Sequence, residues 1–191
     1  MSVPRAGLTP AAVVDAALRV VDRAGPASLT LAAVAAECGV ATPSLYKHVA
    51  GLPELRSLLA ARVLDDLTAA ATSAVLGRSG DEALESLMRA YHAYATDNAR
   101  RYALVPQRPD PDPSVASAAQ RLVAVIFAVF KAYDLTDAQV VHATRVLRAA
   151  MHGFATLVSE GGFQMSEDLA TTHAVLTATL KSLPPAARAT A

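Results

Sequence analysis

The sequence has a single cysteine, Cys38, so no disulfide can form within the chain. Aromatic residues make up 5% of it, and no Asn-Gly or Asp-Gly pair joins alternating apolar runs, so strand and hairpin signals are nearly absent. A charge excess is missing too. The 17 basic and 17 acidic side chains give a formal net charge of zero, which excludes a polybasic coat but not a local anion site. The longest uninterrupted apolar run, Leu122 to Phe130, is roughly half of the about 18 residues a membrane-spanning helix requires, so no membrane partner is expected. The opening Met1-Ser2-Val3-Pro4-Arg5 has no apolar core or cleavage site of a signal peptide, and the expected compartment is the cytoplasm.

What is present reads as a globular chain: 53% hydrophobic and 18% charged over 191 residues, long enough for one domain or two small ones without covalent staples. The apolar periods are helical and alanine abounds, so the expected fold class is all-α, with about nine helices. Thr9-Pro10 opens a first helix that Gly25-Pro26 ends, and Thr30 caps a second that stops at Cys38 before Gly39. Thr42-Pro43 starts a third, ending near Val49. Leu52-Pro53 begins a long helix to about Leu76, closed by Gly77 and Gly80, and another runs from Asp81 to about Asn98. A short stretch around Arg101–Leu104 precedes the proline-rich segment 105–113, which reads as a loop. Ser114 caps an apolar helix to about Lys131. Thr136 and Gln139 form a capping box for a helix to about Glu160, and Ser166 caps a last one that Pro184-Pro185 stops.

Thr30 to Val49 is the informative stretch. Two short helices meet at Gly39 with Ala35 between them, and Leu31, Val34, Val40, Leu45 and Val49 fill the seam, which is the helix-turn-helix pattern. The second helix then projects Thr42, Ser44, Tyr46, Lys47 and His48 toward where a major groove would lie. Helix starts at Thr30 and Thr42 offer N–H groups and hydroxyls to phosphates, Lys47 adds a cation, and Tyr46 and His48 add donors. Tyr46 also fits a core position. Residues 1–56 carry five cations (Arg5, Arg19, Arg23, Lys47, Arg56) against four acids (Asp15, Asp22, Glu37, Glu54), a balance of plus one.

Leu8-Thr9-Pro10 through Gly25, then Leu29-Thr30-Leu31 through Val49, resembles the DNA-binding domain of the tetracycline-repressor (TetR) family of bacterial transcription regulators. The most specific part is Gly39-Val40-Ala41 followed by Ser44-Leu45-Tyr46-Lys47-His48. The resemblance implies a homodimer on a near-palindromic double-stranded DNA operator, repressing until a small-molecule effector binds the larger helical domain. It implies that Thr30 and His48 contact phosphates, that Thr42, Ser44 and Lys47 face bases or backbone, and that Tyr46 does either. Leu52 stands where the family commonly has a lysine, which removes one phosphate contact. Met151-His152-Gly153-Phe154, followed by Gly161-Gly162-Phe163, resembles the C-terminal domain of the Trp-His-Gly subgroup, with Met151 in place of the tryptophan. The expected division is residues 1–50 for DNA, 52–183 for effector and dimer, and 184–191 as a tail.

Within 52–183, His142, Arg145, Arg148 and His152 recur at helical spacing, as a solvated stripe or as the anion-recognising wall of a pocket. Met88, Tyr91, Phe127, Arg148, Met151 and His152 are the candidate effector residues, since such sites are mainly apolar with a few polar groups. Ala149, Ala150 and Gly153 permit a close two-fold helix contact. Cys38, beside Gly39, reads as a small buried thiol and not as a redox sensor. No metal or cofactor is implied: His142 and His152 are too far apart along the chain to ligate one ion without partners. No Gly-x-Ser-x-Gly, His-Glu-x-x-His or Glu-x-x-His constellation is present, so no enzyme class is indicated. The competing class is a helical carrier of apolar small molecules, which would lack salt-dependent retention on DNA.

Overall fold

Eight α-helices and two 3₁₀ helices, with no strand, are found among the described residues of the computed structural model, which are 8–106, 108 and 110–182. The expected start at Met1–Arg5, the Pro184-Pro185 stop, the tail 184–191 and residues 107 and 109 of the proline-rich loop lie outside them. The α-helices are α1 (Pro10–Ala24), α2 (Leu31–Cys38), α3 (Leu52–Val75), α4 (Gly80–Asp97), α5 (Ala99–Tyr102), α6 (Pro113–Lys131), α7 (Asp137–Ser159) and α8 (Leu169–Lys181). The 3₁₀ helices are Pro26–Ser28, which the sequence did not suggest, and Thr42–Lys47.

Cap chemistry explains most ends. The Thr9 hydroxyl accepts from the Ala12 N–H, and the Thr136–Gln139 capping box forms in both directions. Two expected caps are corrected. Pro113 is the first residue of α6, and the Ser114 N–H donates to Asp112 Oδ1 at 2.8 Å, so Asp112 replaces Ser114 as the side-chain acceptor. Asp168, not Ser166, caps α8, accepting from the Thr171 N–H at 2.8 Å. A carboxylate offers two charged acceptor oxygens and also suits the positive end of the helix dipole. Gly80 begins α4 and does not sit in the preceding turn.

The chain divides into two compact units, one holding the chain up to Leu64 with Arg100–Ala118, the other Asp65–Ala99 with the chain from Ala119 onward. Helices α3 and α6 contribute to both, so this division by compactness runs through helices and not along the expected functional boundary at residue 51.

In the first unit α1 packs on α2, and α2 on the second 3₁₀ helix. Val13, Ala17, Val20 and Val21 of α1 are buried with Val34 and Ala35 of α2, Leu29, Leu45 and Val49, each large apolar side chain contributing about 1.5–3 kcal/mol. Short α5 is tied to the end of α1. Arg101 donates to both Asp22 oxygens at 2.7 Å, and Arg100 to the Arg23 carbonyl at 2.9 Å, placing cations where a helix C-terminus favours them. The Arg101 hydrogen bond, opposed by partial burial and aided by the charges of Arg101 and Arg100, holds the Asp22 carboxyl below its usual range.

In the second unit α4 packs on α7 and α8. Leu84, Leu87, Met88 and Tyr91 of α4, Val140, Leu147, Met151 and Phe154 of α7, and Leu180 of α8 are buried there. α6 is the one described helix long and apolar enough by length and composition to cross a membrane. Its Val115, Ala118, Leu122, Ile126, Val129 and Phe130 are nevertheless buried in the protein at helical spacing, the pattern of a core helix.

Candidate nucleic-acid interface

The Thr30 hydroxyl accepts from the Ala33 N–H at 3.1 Å and starts α2 with an extended residue. Gly39 ends it at φ 67°, ψ 32°, a left-handed conformation that glycine adopts without steric cost. The Gly39 N–H donates to the Ala36 carbonyl at 3.1 Å and the Val40 N–H to the Ala35 carbonyl at 3.0 Å. This pair is a Schellman motif, and it fixes the direction in which the chain leaves α2. The following segment differs from expectation: Thr42–Lys47 is a 3₁₀ helix, not an α-helix to Val49. Pro43 removes a donor, and a run this short is satisfied by bonds three residues apart, Ser44 N–H to the Ala41 carbonyl at 2.9 Å and His48 N–H to the Leu45 carbonyl at 2.8 Å. Thr42 is its first residue and Ala41 its N-cap, so the Thr42 hydroxyl makes no capping bond.

Leu45 and Val49 are the buried residues of this segment. Tyr46 is 58% exposed, which decides against a core role, and Lys47 is exposed as well. Thr42, Ser44 and His48 are half-buried, while Thr30 is exposed at the start of α2. Lys47 has no acidic partner among the described residues. By contrast Arg19 and Arg23 of α1 both donate to Glu37 of α2, at 2.7 and 2.5 Å, and these bonds hold its carboxyl down at about 2. That clamp ties α2 to α1 and pairs two cations with one carboxylate, although both arginine side chains stay more than half exposed. It was missed by sequence reasoning, although Arg19 and Arg23 lie one turn apart on α1. Cys38 is half-buried, and burial pushes its thiol up, so it is a poor nucleophile. Leu52 opens α3 half-buried and without charge.

Comparison with known proteins gives this geometry a family. The sequence model described as bacterial regulatory proteins, tetR family, matches residues 13–48, and that described as tetracyclin repressor-like, C-terminal domain, matches residues 84–180. The uncharacterized HTH-type transcriptional regulator YobS of Bacillus subtilis (strain 168) is 33% identical over 87% of this chain and 87% of its own. The chain belongs to the TetR family. The uncharacterized HTH-type transcriptional regulator Rv0681 of Mycobacterium tuberculosis (strain ATCC 25618 / H37Rv) is 34% identical over 82% of this chain and 72% of its own. In fold this chain is similar to TetR-Q116A from Acinetobacter baumannii AYE, crystallised in complex with minocycline, with a TM-score of 0.66 at 20% identity over 94% of this chain and 96% of that one. As a TetR-family member the protein is a DNA-binding transcriptional regulator and not an enzyme. The match at 84–180 spans Met151-His152-Gly153 without confirming the Trp-His-Gly subgroup.

The candidate effector residues of this TetR-family chain differ in exposure. Met88, Met151 and Tyr91 are buried, Phe127 and His152 are half-buried, and Arg148 is exposed. His142 and Arg145 are exposed too, so the basic stripe of α7 is largely solvated. Burial first, and the Arg148 charge second, push the His152 imidazole below its ordinary value. Sequence reasoning missed a ring cluster. His92 of α4 and His173 of α8 stack with centroids 4.4 Å apart, and Phe154 lies 5.3 Å from the first and 5.6 Å from the second. Among the described residues no group of three or more His, Cys, Asp or Glu side chains could hold a metal.

Proposed function

We propose that this regulator is a repressor that binds a palindromic operator as a cytoplasmic homodimer and is released by a small-molecule effector bound in its C-terminal helices. The observation that carries the reading is the row of Thr42, Ser44, Tyr46, Lys47 and His48, exposed or half-buried, held on Leu45 and Val49 beyond the Gly39 turn. With Thr30 these side chains supply the phosphate and base contacts. A second observation supports the dimer: Val146, Ala150, Gly153 and Leu157 recur at helical spacing on α7 and are exposed or half-buried among the described residues, and a Cβ built at Gly153 meets nothing within 4 Å. A two-fold pair entering successive major grooves needs its recognition segments about 34–36 Å apart. An effector that binds better to a dimer of another spacing weakens operator affinity by that difference in affinity.

The test is selection of bound duplexes from a random pool, followed by affinity across a salt series. A palindrome with half-sites about one turn apart is expected. His48→Ala should weaken binding to all sequences and Lys47→Ala should flatten the salt slope by about one unit per half-site. Unchanged affinity and slope in both folded variants would remove these residues from the interface.

A further inference from the structure

A groove of about 450 Å³ opens between α4 and α8, within the range of about 300–1,000 Å³ that small-molecule sites occupy. Arg89 and Glu85 line it from α4, and His173, Thr177 and Lys181 from α8. Its charge is loosely neutralised. Glu85 is shared by Arg89 at 3.8 Å and Lys181 at 3.6 Å, and Lys181 reaches Asp81 only at 3.9 Å, whereas Arg101–Asp22 and Arg121–Asp65 close to 2.7 Å. Two carboxylates held at such distances leave both cations with donors to spare, and a guanidinium presents its donors as a planar fork matched to an oxyanion. The Arg89 side chain is 68% exposed and so reachable from solvent.

Three alanines make up most of the remaining lining, beside His173 and Thr177. Ala170, Ala174 and Ala178 follow one another a turn apart along α8 and give a flat floor without polar groups. His173 also lines the groove, and its Nε2, like Nδ1 of the stacked His92, is buried with no hydrogen-bond partner among the described residues. Burial first, then His92 and Arg89, push the His173 imidazole below its ordinary value and so favour its uncharged form, which leaves Arg89 and Lys181 as the groove's cations.

We propose that this groove is a binding site for a small organic oxyanion, a carboxylate or a phosphate, with its oxygens on Arg89 and Lys181 and its apolar body along the three alanines. This site is separate from the buried Met88, Tyr91 and Met151, and it requires nothing of the operator reading, because binding is measured directly. The full chain is titrated at low ionic strength with benzoate and with inorganic phosphate, following the His173 ring signals by NMR and the heat by calorimetry. A saturable shift at His173 is expected from at least one probe: benzoate alone identifies a carboxylate site, phosphate alone a phosphate site, both an unselective oxyanion site. Arg89→Gln, folded by circular dichroism, should weaken binding at least about tenfold. Lys131→Gln, an exposed change at the end of α6, should not alter it. No saturable shift with either probe, or equal affinity in Arg89→Gln and the parent, overturns the proposal.

Discussion

Replacing Gly39 by alanine separates two ways in which a turn glycine can be required. The residue sits at φ 67°, yet a Cβ built on it meets nothing within 4 Å, so packing does not oppose a side chain there. Only the backbone does. An L-residue in the left-handed region costs roughly 1–2 kcal/mol. Alanine also narrows the unfolded ensemble, which returns about 0.4–1 kcal/mol. The net expectation is a loss of about 1 kcal/mol, equivalent to about 2–4 °C in Tm for a chain of this length. Gly39→Asn should lose less, because asparagine tolerates this region better. Gly162→Ala is the converse control: its Cβ meets Leu157 Cδ2 at 2.7 Å, the mobile end of an exposed side chain, and no positive φ strains it. It should be close to neutral. Thermal unfolding followed by circular dichroism at one fixed protein concentration measures all three. A neutral Gly39→Ala would show that the turn does not need its left-handed residue. A loss of several kcal/mol would show that the space around it is not open.

Two further outcomes follow from charge. Burial is the first cause lowering both His92 and His173; Asp97 partly opposes it at His92, while His92 and Arg89 add to it at His173. Both imidazoles therefore have folded values below the unfolded 6.5, so the unfolded chain takes up protons first and stability falls as pH drops from about 6.5 through the folded values. Urea midpoints should fall between about pH 7.5 and 5.5, and the double variant His92→Phe, His173→Phe should flatten that dependence; an equally steep double variant would refute the assignment. Asp22→Asn should destabilise by about 1 kcal/mol, since its pairing with Arg101 is bidentate but only partly shielded from solvent. A double-mutant cycle with Arg101→Gln should give a coupling of about 0.5–1 kcal/mol, and a coupling of zero would make the contact incidental.

Legibility in the sequence followed the range of the interaction. Thr9-Pro10, Gly39 and the Thr136–Gln139 box act within four residues, and the structure has them as read. The caps of α6 and α8 were open to error because serine and aspartate compete over neighbouring positions; Pro113 as a first-turn residue was the signal that pointed to Asp112. Over the six residues 42–47 an apolar pattern cannot separate a 3.0-residue from a 3.6-residue period, and the 3₁₀ geometry was invisible for that reason. Contacts between distant segments left no trace at all: Arg101 and Asp22 are 79 residues apart, and His92 meets His173 only because α4 packs on α8.

The recognition segment is fastened to the protein chiefly by Leu45 and Val49, with its other side chains exposed or half-buried. In evolutionary terms this makes reading and folding separately inheritable. Exchanges at the exposed Tyr46 and Lys47 fall in the class of surface substitutions that shift stability by no more than about 0.5 kcal/mol, while under the proposed function each would alter what the segment offers to a base pair. A lineage could thus drift to a new operator one letter at a time, passing through intermediates that all still fold, provided the leucine and valine beneath stay put.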